Sequence, residues 1–196
     1  MPKHTATKDT PVTTLVFREV TAAVWSDFAK LFESRGGPKN CWCMVWRDMD
    51  KTKERPDKSA RKAAMRKRIH AGEPVGILGY YQDVPVAWCS IAPRATYRAG
   101  LADRQESDDQ QRVWSVVCFY IHHSLRGQGI FAQLVKAAEN YARRHGATIL
   151  EAYPVDKTSP SYRFGGFKPS FAKIGYNLIG RAGTRRYIMR KKFTSV

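Results

Sequence analysis

A mixed α/β fold is predicted by three features of the 196-residue chain. Val113–Ile121 is an apolar, β-rich run that leads through Arg126-Gly127-Gln128-Gly129-Ile130 into an amphipathic segment ending at Gly146, the order of a strand, a glycine turn and a helix. Pro74–Tyr81 and Pro85–Ile91 are apolar runs separated by Gln82-Asp83-Val84, which is hairpin spacing. Thr14–Val20 alternates apolar and polar residues ahead of a helical pattern. Strands and helices alternating in this way must share one core.

The elements follow in chain order. Residues 1–13 lack an apolar stretch and read as a flexible leader, and 14–196 as a single domain. After the first strand, Thr21 precedes Ala22–Glu33, where Val24, Phe28, Leu31 and Phe32 recur at helical spacing until Gly36-Gly37-Pro38 stops the helix. Cys41–Trp46 is dense in Trp, Cys and Met and should be buried or line a cavity, with Arg47 at its edge. Lys58–Ala71 reads as a basic helix closed by Gly72. Beyond the hairpin, Arg94–Arg112 has weak periodicity and reads as a long polar loop before the central strand. Ile130, Leu134, Val135, Ala138, Tyr141 and Ala142 trace one helix face. Thr148–Tyr153 is a short strand, Pro160–Phe164 a turn or short helix, and Phe167–Ile174 and Arg186–Phe193 the last two strands.

Composition narrows the class. No apolar run approaches the roughly 20 residues of a membrane span. Four cysteines, two of them in apolar strands, are typical of reduced cytoplasmic thiols. Cys41-Trp42-Cys43 has the wrong spacing for structural zinc, and no metal is expected. The net charge of +17 is local: residues 51–70 carry nine Lys/Arg against two acids, residues 157–196 carry ten against none, and the rest balances. Either a polyanionic partner or two solvated basic faces explain it.

The glycine turn carries the chemistry. Gly127 and Gly129 allow a backbone bend with exposed N–H groups, and the following helix adds its positive end, so a diphosphate can be held largely by main chain. A redox dinucleotide is disfavoured, because the third glycine and the acid about 20 residues on are absent.

Arg126-Gly127-Gln128-Gly129-Ile130-Phe131 resembles the acyl-CoA turn of the GNAT superfamily of N-acetyltransferases, Arg/Gln-x-x-Gly-x-Gly/Ala, with Phe131 as a departure that must point away from the diphosphate. Tyr162-Arg163-Phe164-Gly165-Gly166-Phe167 is similar to the superfamily's Tyr-x-x-x-Gly-Phe segment. The resemblance implies a mostly antiparallel mixed sheet flanked by helices, acetyl-CoA as donor, and direct transfer to an amine. It implies that the main chain of Phe119 and Ile121 pairs with the pantetheine arm, and that Tyr162 is the acid that protonates the departing thiolate or simply packs on the cofactor.

Glu151 and His122 are candidate bases, although a strand-end glutamate is often ion-paired. His122 and His123 should face opposite sides of an extended chain and so share no metal. Cys118 is a nucleophile only if accessible and electropositive, and its apolar strand suggests inert core. Trp42, Arg47, Trp88 and Trp114 are candidates for an acceptor pocket, with plain core packing as the alternative for the tryptophans. A small-molecule amine is the expected acceptor. The alternative is a protein that engages nucleic acid, as a binding module or as an acetyltransferase of aminoacyl-tRNA or of a protein, through Lys51–Arg68 and Arg181–Lys192. The acceptor's identity, the acyl-chain length and a homodimeric state stay open.

Overall fold

A computed structural model of the chain describes residues 14–49, 57–102 and 112–193. Its strands are β1 (Val16–Glu19), β2 (Gly76–Tyr81), β3 (Val84–Pro93), β4 (Val113–Ile121), β5 (Ile149–Ala152), β6 (Asn177–Ala182) and β7 (Arg186–Lys192). They form one seven-stranded sheet in the order β1-β2-β3-β4-β5-β7-β6. Only β4 and β5 run parallel; the other neighbours are antiparallel. The helices are α1 (Trp25–Glu33), α2 (Lys58–His70), α3 (Ile130–Arg144) and the short α4 (Lys168–Ala172).

Both sheet faces are covered, and the two-residue period of the strands divides the side chains between them. Along β3, Ala87, Cys89 and Ile91 join the α3 layer with Leu134, Val135 and Ala138. Trp88, between them, joins Phe28, Phe32, Met65 and Ile69 of the α1 and α2 layer. Local signals set the boundaries. The Asp57 side chain accepts the Ala60 N–H at 2.7 Å, an N-cap worth about 1 kcal/mol. Gln82 and Asp83 both have positive φ, which is the two-residue turn a tight hairpin needs; Val84, expected in the turn, already starts β3.

The expected strand at Phe167–Ile174 is a helix instead. Pro169 occupies the first turn of α4, where its missing N–H costs nothing, whereas in a ladder it would delete a bond. Phe171 anchors α4 in the core, and the penultimate strand comes later, as β6. It was hidden from the alternation test because β6 is an edge strand whose Leu178 and Ile179 are both exposed. The leader 1–13, the acidic part of the expected polar loop at 103–111 and the basic residues 50–56 lie outside the described residues.

Two irregularities shape the centre of the sheet. Ser90 pairs with Cys118 and Ile91 with Val116, so Val117 is an extra residue on β4, a bulge. β4 pairs with β5 only as far as Val116 and Ala152. From Val117 onward, the edge of β4 that β5 would occupy is open.

Candidate active site

The open edge of β4 presents specific main-chain groups. The His122 N–H donates to the Val86 carbonyl at 2.8 Å, which makes Ala87 and Ile121 a non-hydrogen-bonded pair. The N–H and C=O groups of Ile121, and by alternation of Phe119, therefore point away from β3 toward the gap. The Arg126 Nε donates to the Ile121 carbonyl at 3.0 Å, tying the strand end to the glycine turn.

At that turn Gly127 and Gly129 have φ of +80° and +76°, and a Cβ built on either meets nothing within 4 Å. The main chain is thus bare on its outer side, and Gly129 is the N-cap of the fifteen-residue α3, which no side chain caps. The Gln128 side chain folds back onto the Ser124 carbonyl at 2.9 Å. Phe131 points inward, its ring 4.9 Å from that of Phe119 and 5.3 Å, edge on, from that of Phe171. It closes against Gly166, where a Cβ would come within 3.2 Å of it. The residues that form the turn leave an open, uncapped helix start beside a free strand edge, which is the donor set a diphosphate and an amide-bearing arm require.

A cavity of about 280 Å³ adjoins the bulge. Its walls include Cys41, Cys43 and Trp46 from the loop after α1, Cys118 and Phe119 from β4, and Phe164. The wall is almost wholly apolar. Cys118 is half-buried and faces this cavity, where the sequence suggested inert core. The other two cysteines of the wall are held as thiols: contact with Cys43 and burial push the Cys41 thiol up, and burial pushes Cys43 up. Tyr162 packs against two residues of that lining, its ring 5.9 Å from Trp46 and 6.1 Å from Phe164. It has the left-handed conformation, φ +59°, a backbone state that costs a non-glycine residue about 1–2 kcal/mol.

The other catalytic candidates lie elsewhere. Glu151 is fully buried, and its oxygens are occupied: Arg190 Nε donates at 2.5 Å, the Tyr153 hydroxyl donates, and Arg94 Nε sits 3.6 Å away. Enclosed by two guanidiniums and a tyrosine hydroxyl, and without solvent exposure, it is the centre of an ion cluster. His122 shares a 2.7 Å hydrogen bond with Ser124. It follows the end of β4, roughly 13 Å along the strand from Cys118, beside the turn and away from the cavity. The His122 and His123 ring centroids lie 4.2 Å apart, the planes tilted by 44°, because the chain turns into a 3₁₀ helix at His123 where opposite faces were expected. Among the described residues, no three His, Cys, Asp or Glu side chains form a metal group.

Most of the predicted pocket residues are core. Trp42 and Trp88 are fully buried: Trp42 stacks on Phe32 at 5.3 Å, and the Trp88 Nε1–H reaches Cys43 Sγ at 2.9 Å. Trp114 packs against Tyr141 and His145 at the α3 end, within the α3 layer of the core. Arg47 is also buried; its Nη2 donates to the Val75 carbonyl at 3.1 Å and the Tyr97 hydroxyl at 3.3 Å. The tryptophan that does line the cavity is Trp46. Residues 38–47 form successive turns, and positive φ at Trp42 and Cys43 breaks any fixed side-chain period, so spacing alone does not say which tryptophan faces in.

A sequence model of the Acetyltransferase (GNAT) family matches residues 42–165. The chain belongs to that family, and it is an N-acetyltransferase. A search of curated protein sequences finds no match. Among solved structures, the fold is similar to that of YncA from Salmonella typhimurium with its cofactor acetyl-CoA, at 14% identity and a TM-score of 0.53 over 93% of this chain and 96% of that one. It is similar to a ribosomal-protein-alanine N-acetyltransferase from Brucella melitensis, at 17% identity and 0.53 over 91% and 100%. A GNAT-family acetyltransferase from Listeria monocytogenes gives 10% identity and 0.56 over 91% and 95%.

Proposed function

We propose that this enzyme transfers an acetyl group from acetyl-CoA directly to the primary amine of a small, partly apolar molecule. The observation that carries the reading is the 280 Å³ apolar cavity at the β4 bulge, where the unpaired strand edge begins. In this reading the amides of Gly127–Phe131 and the α3 N-terminus hold the diphosphate, with Arg126, Gln128 and Ile130 bracing the turn. Phe119 and Ile121 pair with the pantetheine arm. When bound, acetyl-CoA supplies an activated thioester carbonyl. As the amine nitrogen bonds to the carbonyl carbon and the C–S bond breaks, the Tyr162 hydroxyl hands its proton to the departing sulfur, and the proton shed by the nitrogen returns to Tyr162 by way of solvent.

No side-chain base is invoked. Transfer of an ammonium group into an apolar cavity disfavours its charged form, so desolvation itself favours the neutral, nucleophilic amine. His122 and Glu151 lie outside this step for the reasons of placement and pairing given above.

The basic stretches do not require a nucleic acid. On α2, Arg61 donates to the Asn40 carbonyl, Lys62 pairs with Glu33 at 2.6 Å, Arg68 pairs with Glu73, and Arg66 lies over the Trp25 ring. Those cations serve the fold locally. No described helix is long and apolar enough to cross a membrane. A cytoplasmic setting goes with the same reading, since the four cysteines are free thiols and reduced thiols persist there.

A thiol-release assay with acetyl-CoA across small amines, amino acids, peptides and aminoacyl-tRNA tests the reading. Turnover of small amines is expected. Turnover confined to peptides, proteins or tRNA overturns it.

A further inference from the structure

Trp46 is more than a cavity wall. The Arg186 guanidinium lies 4.2 Å from its ring centroid and that of Arg98 5.0 Å, while Arg186 is also 5.4 Å from the Tyr162 ring. Two like charges thus meet at one indole beside the cavity. Arg186 is buried, and its Nη1 and Nη2 donate to the Leu101 and Gly100 carbonyls at 2.6 and 3.4 Å. These bonds hold the short turn that follows Arg98. Desolvation lowers the pKa of Arg186, and the charge of Arg98 adds to that effect.

Arg98 itself is exposed. It borders a second cavity of about 470 Å³, formed with Arg94, Tyr97 and Leu101. Among the described residues, no carboxylate pairs with Arg47, Arg98 or Arg186; Glu151 is already shared by Arg94 and Arg190. Beneath Tyr97, Arg47 is only 2% exposed, and its Nε and Nη1 have no hydrogen-bond partner. An uncompensated guanidinium so deeply buried is costly, and it adds positive potential to the same region.

We propose that the acceptor amine also carries a carboxylate, which Arg98 binds across the face of Trp46 while the apolar part occupies the 280 Å³ cavity. The inference rests on the small-amine reading. The Arg98 guanidinium lies over the Trp46 ring and is exposed, and a guanidinium that keeps N–H donors available suits a carboxylate. Polycationic amines face the reverse situation, because among the described residues no free carboxylate lines either cavity to meet their second charge and several guanidiniums repel it. The positive field further favours the neutral form of the reacting amine. Arg186 is a positioning residue for Arg98.

The test is initial-rate kinetics of the full chain at saturating acetyl-CoA, with α- and ω-amino acids each set beside its own carboxamide. The acid should exceed the carboxamide in kcat/KM by about tenfold or more, as expected for one charge-assisted hydrogen bond, mainly through KM. Arg98→Gln should bring that ratio close to one, and Arg98→Glu should invert it; the side chain is exposed, so both variants should fold with an unchanged Tm. Equal rates for acids and carboxamides in the parent chain overturn the inference while leaving the small-amine reading intact. A preference that survives Arg98→Glu removes Arg98 from it. If acetyl-CoA raises Tm but no small amine is acetylated, the small-amine reading falls and this inference with it.

Discussion

Gly129→Ala separates the ligand's share of the glycine turn from the fold's share. A methyl built on Gly129 meets no protein atom within 4 Å, so its cost to the unliganded chain is confined to the left-handed backbone, about 1–2 kcal/mol. For a chain of this length that is a fall in Tm of about 2–8 °C. The same methyl stands on the open side of the turn, where the diphosphate would lie. Losing one charge-assisted hydrogen bond there costs about 1.5–3 kcal/mol, or about 10- to 150-fold in Kd. Acetyl-CoA at about 100 times the parent Kd should stabilise the parent by about 2.7 kcal/mol. A variant that binds about 100-fold more weakly gains only about 0.4 kcal/mol at the same concentration, roughly 1 °C. Scanning fluorimetry with and without acetyl-CoA, checked by titration calorimetry, measures both quantities. Gly76→Ala is the contrast: its Cβ would fall 2.1 Å from the Cys89 carbonyl oxygen, so it should fail to fold. If Gly129→Ala keeps the full acetyl-CoA shift, the turn does not hold the diphosphate.

Three further outcomes are expected. Glu151→Gln removes the charge shared by Arg190 and Arg94 at a fully buried site and should cost about 3–5 kcal/mol, lowering Tm by the order of 10 °C; a kcat loss of about 100-fold in fully folded protein would instead mark Glu151 as a base. Tyr162→Phe should lower kcat by about 100-fold with calorimetric acetyl-CoA affinity unchanged, and an unaltered kcat removes Tyr162 as the acid. Burial pushes Tyr97 up to about 12, whereas the unfolded tyrosine ionises near 10. Below pH 10 both states keep the proton; above it only the unfolded state has lost it, so stability falls by about 1.4 kcal/mol per pH unit from this residue until pH 12. Urea midpoints across that range should decline less steeply in Tyr97→Phe.

Legibility in the sequence followed the range of the interactions. β4, the turn at Gly127–Gly129 and α3 are contiguous, and their signals are local: a β-branched run, two glycines, and an apolar stripe at helical spacing. Phe131 was legible too, since its bulk beside the turn required an inward ring. The segment Phe167–Ile174 misled because a short helix with one buried anchor, Phe171, shows too few turns for a period, and Pro169 was the signal that marked a helix start. The edge strand β6 lacked an alternating face to read.

The proposed acceptor side was opaque for a different reason. Trp46, Arg98, Tyr162 and Arg186 come from four separate segments, joined only by packing. Positive φ at Trp42 and Cys43 turned one tryptophan into the core and left another facing the cavity.

The sequence by itself determined the donor half of this enzyme: a strand, a glycine turn and a helix start whose backbone geometry is dictated by neighbouring residues. Only the tertiary structure decided what surrounds the proposed acceptor cavity. Burial and long-range pairing there enclosed Glu151 between Arg94 and Arg190, sent Trp88 and Trp114 into the core, and set two arginines over the Trp46 ring.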